Sequence, residues 1–175
     1  MTHDRQITIS IGSSRKSVNW VPAAMTLSEF YTRIASVTRG TETMAEYLSL
    51  PKGRQDELKD VGGYVAGALD GPRRKAGAVT GRDLITLDMD NIAAGGTADV
   101  LRRLDGLGCG YCVYSTRKHT PSAPRLRALL PLDRTCTAAG YAPGARRRAG
   151  RGGGGGRAPA PGGAAAPGGL GEAGG

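Results

Sequence analysis

The chain lacks several things, and each lack excludes something. No run of ~18 or more apolar residues occurs, so no transmembrane helix is expected. No apolar segment of the signal-peptide kind follows Met1, so a cytoplasmic protein without a membrane partner is the expectation. Cysteine is scarce and odd in number, three in 175 residues, which argues against a disulfide framework. Cys109-Gly110-Tyr111-Cys112 is a C-x-x-C, but a structural zinc site needs four ligands and only Cys136, His119 and His3 remain to supply the other two. Thiols buried in a core strand are the simpler expectation. The two histidines, His3 and His119, lie far apart and cannot form the His-hydrophobic-His metal pair of a tyrosine-dependent DNA-nicking protein. Acid is almost missing from the end of the chain, where Glu172 is the one carboxylate after Asp133.

Base is plentiful. Residues 1–133 hold 18 Lys+Arg against 14 Asp+Glu, and the remainder holds 6 Arg against one acid, which together give the net charge of +9. A basic balance favours polyanionic partners, nucleic acid first. Residues 138–175 contain 15 Gly, 11 Ala, 5 Arg and 4 Pro among 38 residues. No core can be packed from that text, so a disordered tail follows a domain spanning 1–137. Gly, Ala, Pro and most Arg codons share G or C at their first two positions. A frameshift in GC-rich coding DNA near Ala139 therefore accounts for the tail, and a native basic tail is the other explanation.

The domain itself alternates strand and helix signals. Gln6 to Gly12 places Ile7, Ile9 and Ile11 on one face of a strand. A turn with two cations, Arg15 and Lys16, follows. Thr26-Leu27-Ser28-Glu29 and Thr43-Met44-Ala45-Glu46 are capping boxes. Leu27, Phe30, Tyr31 and Ile34 form the apolar stripe of the first helix, and Met44, Tyr47 and Leu48 that of the second, both expected in the core. Lys59 to Gly67 reads as a loop running into a strand. Arg73-Arg74-Lys75 is a compact cluster suited to a triphosphate or a nucleic-acid backbone. Thr97 is expected to cap a helix carrying Val100, Leu101 and Leu104. Strands are expected at Tyr111 to Ser115 and, bounded by Pro124 and Pro131, at Arg125 to Leu130. The class is α+β.

Leu84-Ile85-Thr86-Leu87-Asp88-Met89-Asp90-Asn91 is a strand ending in two carboxylates. Alternation puts Asp88 and Asp90 on one face, with Cα atoms roughly 6.5–7 Å apart. That spacing suits one divalent cation held between them, or two bridged by them. Tyr114-Ser115-Thr116-Arg117-Lys118-His119-Thr120 then leaves a strand and turns polar, and Arg125 and Arg127 share a face beyond it. This is an anion-recognising set.

These two motifs, in this order and spacing, resemble the archaeo-eukaryotic primase superfamily. The likeness is to its primase-polymerase-like domains of bacteriophages, prophages and integrated elements, of the virulence-associated protein E neighbourhood, and it covers roughly Arg5 to Asp133. The resemblance implies a catalytic core related to the RNA-recognition-motif fold and template-directed nucleotidyl transfer from nucleoside triphosphates with Mg2+ or Mn2+. It implies a DNA template as partner, and a helicase domain or protein encoded downstream. Asp88 and Asp90 fall on the metal-binding catalytic motif. The family's small-x-His motif falls on Ser115, with either Arg117 or His119 in the histidine's role, and Arg125 and Arg127 fall where they would hold phosphate or orient the strand. Arg73, Arg74 and Lys75 fit contacts to nucleic acid. The family's third motif, a later strand aspartate, has no counterpart in this chain, and Asp133 is the one available substitute. Impaired catalysis in a truncated or frameshifted domain is therefore expected. A non-catalytic basic nucleic-acid-binding remnant is the alternative.

Overall fold

The computed structural model describes residues 4–36, 38–75, 77–137 and 141. The frameshifted or disordered tail expected from residue 138 lies outside them, Tyr141 excepted. Ten elements follow in order: β1 (Gln6–Gly12), β2 (Val21–Thr26), α1 (Leu27–Ala35), α2 (Met44–Ser49), α3 (Lys52–Leu58), β3 (Gly63–Val65), β4 (Arg82–Met89), α4 (Thr97–Asp105), β5 (Cys112–Ser115) and β6 (Leu126–Cys136). They form two three-stranded antiparallel sheets, ordered β2-β1-β3 and β4-β6-β5. The class is α+β, as the alternating signals predict. Among the described residues no helix is long and apolar enough to cross a membrane.

Local chemistry explains the first helices. The Thr26 hydroxyl accepts from the Glu29 amide at 3.1 Å while the Glu29 carboxylate accepts from the Thr26 amide at 2.7 Å, and Thr43 and Glu46 repeat this exchange. α1 buries Leu27, Phe30 and Ile34. α2 departs from expectation, because it buries Tyr47 and leaves Met44 and Leu48 37% and 52% exposed. A helix of six residues presents one turn to the core, and the larger aromatic takes that place. Thr97 does not cap α4. The chain turns at Gly95, where φ is +73°, and Gly96 occupies the cap, so Thr97 is already helical.

β6 also runs on through Pro131, where the sequence predicts a stop. Pro131 pairs with Leu84 at the point where the register slips before Arg82 meets Cys136. A proline has no amide to donate, and an irregularity is where a ladder tolerates that loss.

The β4-β6-β5 sheet is covered on both faces, and alternation decides which residue meets which core. Leu84, Leu129 and Tyr114 pack with Ile7, Ile9, Phe30 and Tyr64. Ile85, Leu87, Ala128 and Leu130 pack with Leu104 of α4 and with Tyr141. Tyr141 is 7% exposed and its hydroxyl accepts from the Thr86 amide, so packing of the fold extends past residue 137. The two sheets meet where Gly67 passes Gly81. A Cβ on Gly67 would lie 1.8 Å from the Gly81 carbonyl oxygen, so no side chain fits there.

Candidate active site

The pairing that builds the second sheet also builds the site. In β6, Arg127 lies opposite Asp88 on one side and opposite Tyr114 on the other. The three side chains share the face that carries Leu84 and Leu129. The Arg127 Nε–H donates to the Asp88 carboxylate, and the guanidinium lies 6.0 Å from the centre of the Tyr114 ring. The Tyr114 hydroxyl meets the Tyr64 hydroxyl at 3.3 Å, which ties this row to β3. Burial pushes both tyrosines above their ordinary pKa, so each stays a neutral hydroxyl. Burial works against the charge of Arg127, but Tyr114 and Asp88 outweigh it and hold the guanidinium above its ordinary pKa.

One step along the strand exit, Arg125 Nη1 lies 3.7 Å from Asp90 Oδ1. Arg125 also fixes the histidine, since its amide donates to His119 Nδ1 at 3.1 Å. In the neutral ring the proton then sits on Nε2, which is left to donate elsewhere. The loop is held by Thr116 N to Arg125 O at 3.0 Å and His119 N to Thr116 O at 2.8 Å. Asp88, Asp90, Arg125, Arg127 and His119 are therefore brought together.

Two expected residues are not. Arg117 turns toward α2, where its Nη2 donates to Glu42 at 2.7 Å and its guanidinium lies 4.4 Å from the Tyr47 ring centre. Of Arg117 and His119, His119 is the one held beside Arg125. Ser115 follows Tyr114 on β5, so alternation places its side chain on the opposite face, with Val113. Arg73, Arg74 and Lys75 lie on the loop before β4, where the Arg74 guanidinium lies over Trp20 and Arg73 and Lys75 are exposed.

Asp133 stands too far away to serve as the third acid. It lies six residues beyond Arg127 along β6, roughly 20 Å at strand rise, toward the opposite end of the sheet. Among the described residues no three His, Cys, Asp or Glu side chains gather as a metal cluster. The donor set fits one hard divalent ion, because magnesium is commonly held by one or two carboxylates with water and substrate phosphates completing the shell. It does not fit a two-metal centre, since among the described residues no third carboxylate stands with Asp88 and Asp90. Cys109, Cys112 and Cys136 are each half-buried.

The sequence signals missed Tyr64, Tyr114 and Glu42. Nothing in their spacing marks them, since strand pairing across 50 residues sets the tyrosine contact and Glu42 sits in an irregular stretch.

No curated protein and no solved structure matches the chain. The family model of the VapE N-terminal domain matches residues 1–153, which is most of the chain and includes every element described above. The chain belongs to the VapE N-terminal domain family and so to a lineage of phages and mobile elements.

Proposed function

We propose that this domain binds a nucleoside triphosphate with one divalent ion, Mg2+ or Mn2+, as the primase-polymerase-like module of a mobile element's replication system, with nucleotidyl transfer impaired. The observation that carries this is the paired row of Asp88 with Arg127 and Asp90 with Arg125, flanked by His119. Carboxylates for a cation and guanidiniums for phosphates alternate across one strand pair. Asp88 and Asp90 are the residues to hold the ion, which would supply charge neutralisation and Lewis acidity to the triphosphate. Arg125 and Arg127 orient phosphate, and His119 Nε2–H donates to it. Tyr114 and Tyr64 keep Arg127 aimed at Asp88.

Transfer by two metals needs a third carboxylate to place the second ion and activate a primer hydroxyl. No acid among the described residues stands with Asp88 and Asp90. Binding with weak or no turnover is the consequence. The DNA template is a proposed partner, with Arg73, Arg74 and Lys75 as its contacts, and a helicase is proposed beside it.

The test is titration of a fluorescent nucleoside triphosphate in the presence of Mn2+. The wild-type chain should bind, chelation should release the ligand, and Asp88→Asn should abolish the metal dependence. Triphosphate binding that ignores both manganese and Asp88→Asn overturns the proposal and favours a non-catalytic nucleic-acid-binding remnant. Vigorous primer synthesis, abolished in an Asp88→Ala/Asp90→Ala control, overturns the impairment.

A further inference from the structure

We propose that the loop after β1 and the loop before β4, far apart in sequence, form one rigid cationic surface for the phosphodiester backbone of a DNA strand. It rests on the assignment of Arg73, Arg74 and Lys75 as nucleic-acid contacts and extends it to Arg15 and Lys16. The two loops are stitched together. The Trp20 amide donates to the Pro72 carbonyl at 2.7 Å, and Arg74 Nη2 donates to the Arg15 carbonyl at 3.3 Å. The Arg74 guanidinium lies 5.1 Å from the Trp20 ring centre. Trp20 is 3% exposed, so its indole is a support for Arg74 and is closed to stacking with a base.

The first loop is also braced from below. Trp20 Nε1–H donates to the Ser17 carbonyl at 2.9 Å, and Asp60 accepts from the Ser14 hydroxyl at 2.6 Å and from the Arg15 amide at 2.7 Å. Gly12 lets this happen, because a Cβ there would fall 2.7 Å from the indole. Rigid loops lower the ordering cost of binding.

The charges on this surface are available. Lys16, Arg73 and Lys75 are exposed and have no carboxylate partner among the described residues. The Arg15 guanidinium reaches Asp56 and Asp60 at 3.6 and 3.9 Å from a side chain 44% exposed. Ion pairs so long and wet contribute little, so a phosphate displaces them readily. Cations with the Ser13 and Ser17 hydroxyls between them are the donors that contact phosphate, and among the described residues of this surface no accessible aromatic is present to read bases. Placement joins the surface to the candidate site. β1 reaches this loop beside β3, where Ile11 pairs with Tyr64, and the Tyr64 hydroxyl meets Tyr114 in the row of Arg127 and Asp88.

The test uses the full chain and a labelled single-stranded oligonucleotide of about fifteen nucleotides. Arg15→Gln/Lys16→Gln and Arg73→Gln/Lys75→Gln are each compared with the parent over a salt series. Each pair should weaken binding several-fold and lower the slope of log K against log salt by about 1.4, at ~0.7 per phosphate contact. The basic tail contributes equally to all three proteins, and lysine acetylation footprinting reads the surface directly. Lys16 and Lys75 should both be protected by the oligonucleotide. A slope unchanged in either variant whose melting curve matches the parent, or either lysine labelled equally fast with and without DNA, overturns the proposal. Triphosphate binding in the same variants should stay at the parent value, so the triphosphate proposal fails on Asp88→Asn and this one fails on the salt slope.

Discussion

Replacing Tyr141 by alanine tests how far the fold extends. The ring is 7% exposed and packs with Ile85, Leu87, Leu104, Ala128 and Leu130. Truncating a buried aromatic to alanine costs about 3–5 kcal/mol through lost burial and the cavity left behind. The Arg82 guanidinium lies 4.5 Å from the Tyr141 ring centre and is itself 6% exposed, so it loses a cation–π partner worth about 1 kcal/mol. The hydroxyl accepts from the Thr86 amide at 3.4 Å, a long bond that adds little. A loss of about 4 kcal/mol is a large share of the ~5–15 kcal/mol that holds a domain together. With a urea slope of about 2 kcal/mol per molar, the unfolding midpoint should fall by about 2 M, followed by Trp20 fluorescence and circular dichroism together. Tyr141→Phe keeps the ring and should shift the midpoint by under about 0.5 M. A Tyr141→Ala midpoint equal to the parent would refute the packing of this residue and end the domain at 137.

Three further outcomes follow from particular contacts. Asp83 is 4% exposed at its side chain and accepts from Thr135 Oγ1, the Thr8 amide and Arg5. Burial raises its pKa, but these donors outweigh that and hold it below 3.8, so its contribution is complete above that value and is lost as pH falls through the lower folded pKa. Asp83→Asn should therefore cost roughly 2 kcal/mol in urea unfolding at pH 7, with the gap to the parent closing below about pH 4; a gap independent of pH refutes it. His119→Ala should weaken metal-dependent triphosphate binding about tenfold, the value of one charge-assisted hydrogen bond, while Arg117→Gln stays within about twofold. The opposite order would restore Arg117 as the phosphate contact. Gly67→Ala should lower stability by more than about 2 kcal/mol in the same denaturation assay, because its Cβ meets backbone rather than a side chain that can move; a neutral variant refutes the close approach.

Much of this was legible in the residues. Alternation of Ile7 and Ile9 gave β1, and the two Thr-x-x-Glu boxes gave the starts of α1 and α2. These signals are local, so sequence spacing reports them directly. The acidic strand was equally local, although β4 ends at Met89 and leaves Asp90 just beyond it. What failed was register. The partners of Asp88 and of Tyr114 depend on how β6 aligns with two strands, and β6 continues through a proline only because the ladder slips there. Ser115 shows the same limit, since its proximity to Arg117 and His119 in sequence says nothing about which face of β5 it takes. β2 was missed because Val21–Thr26 contains Pro22 and Ala residues that carry no strand signal and sits at a sheet edge, where proline is tolerated.

Register also explains what the candidate site can bind. Asp88 and Arg127 are neutral together, as are Asp90 and Arg125, so the row holds no net charge. A divalent ion arriving alone takes a carboxylate and leaves a guanidinium about 15% exposed without its counter-ion. A triphosphate arriving alone takes the guanidinium and leaves the carboxylate. Either half-exchange is costly at the partly buried Asp88–Arg127 pair, whereas the exposed Asp90–Arg125 pair at 3.7 Å gives way readily. Arriving together, the ion meets the carboxylates and the phosphates meet the guanidiniums, and every charge stays paired. The proposed ligands therefore favour each other's binding, and by reciprocity each strengthens the other by the same factor. Arg127→Gln should then weaken the triphosphate while relieving the ion's competition for Asp88, whereas Asp88→Asn should lose the ion and with it the metal-dependent share of triphosphate affinity. A site of simple basic residues predicts neither asymmetry, which makes the pairing of Asp88 with Arg127 the feature on which the proposed nucleotide recognition turns.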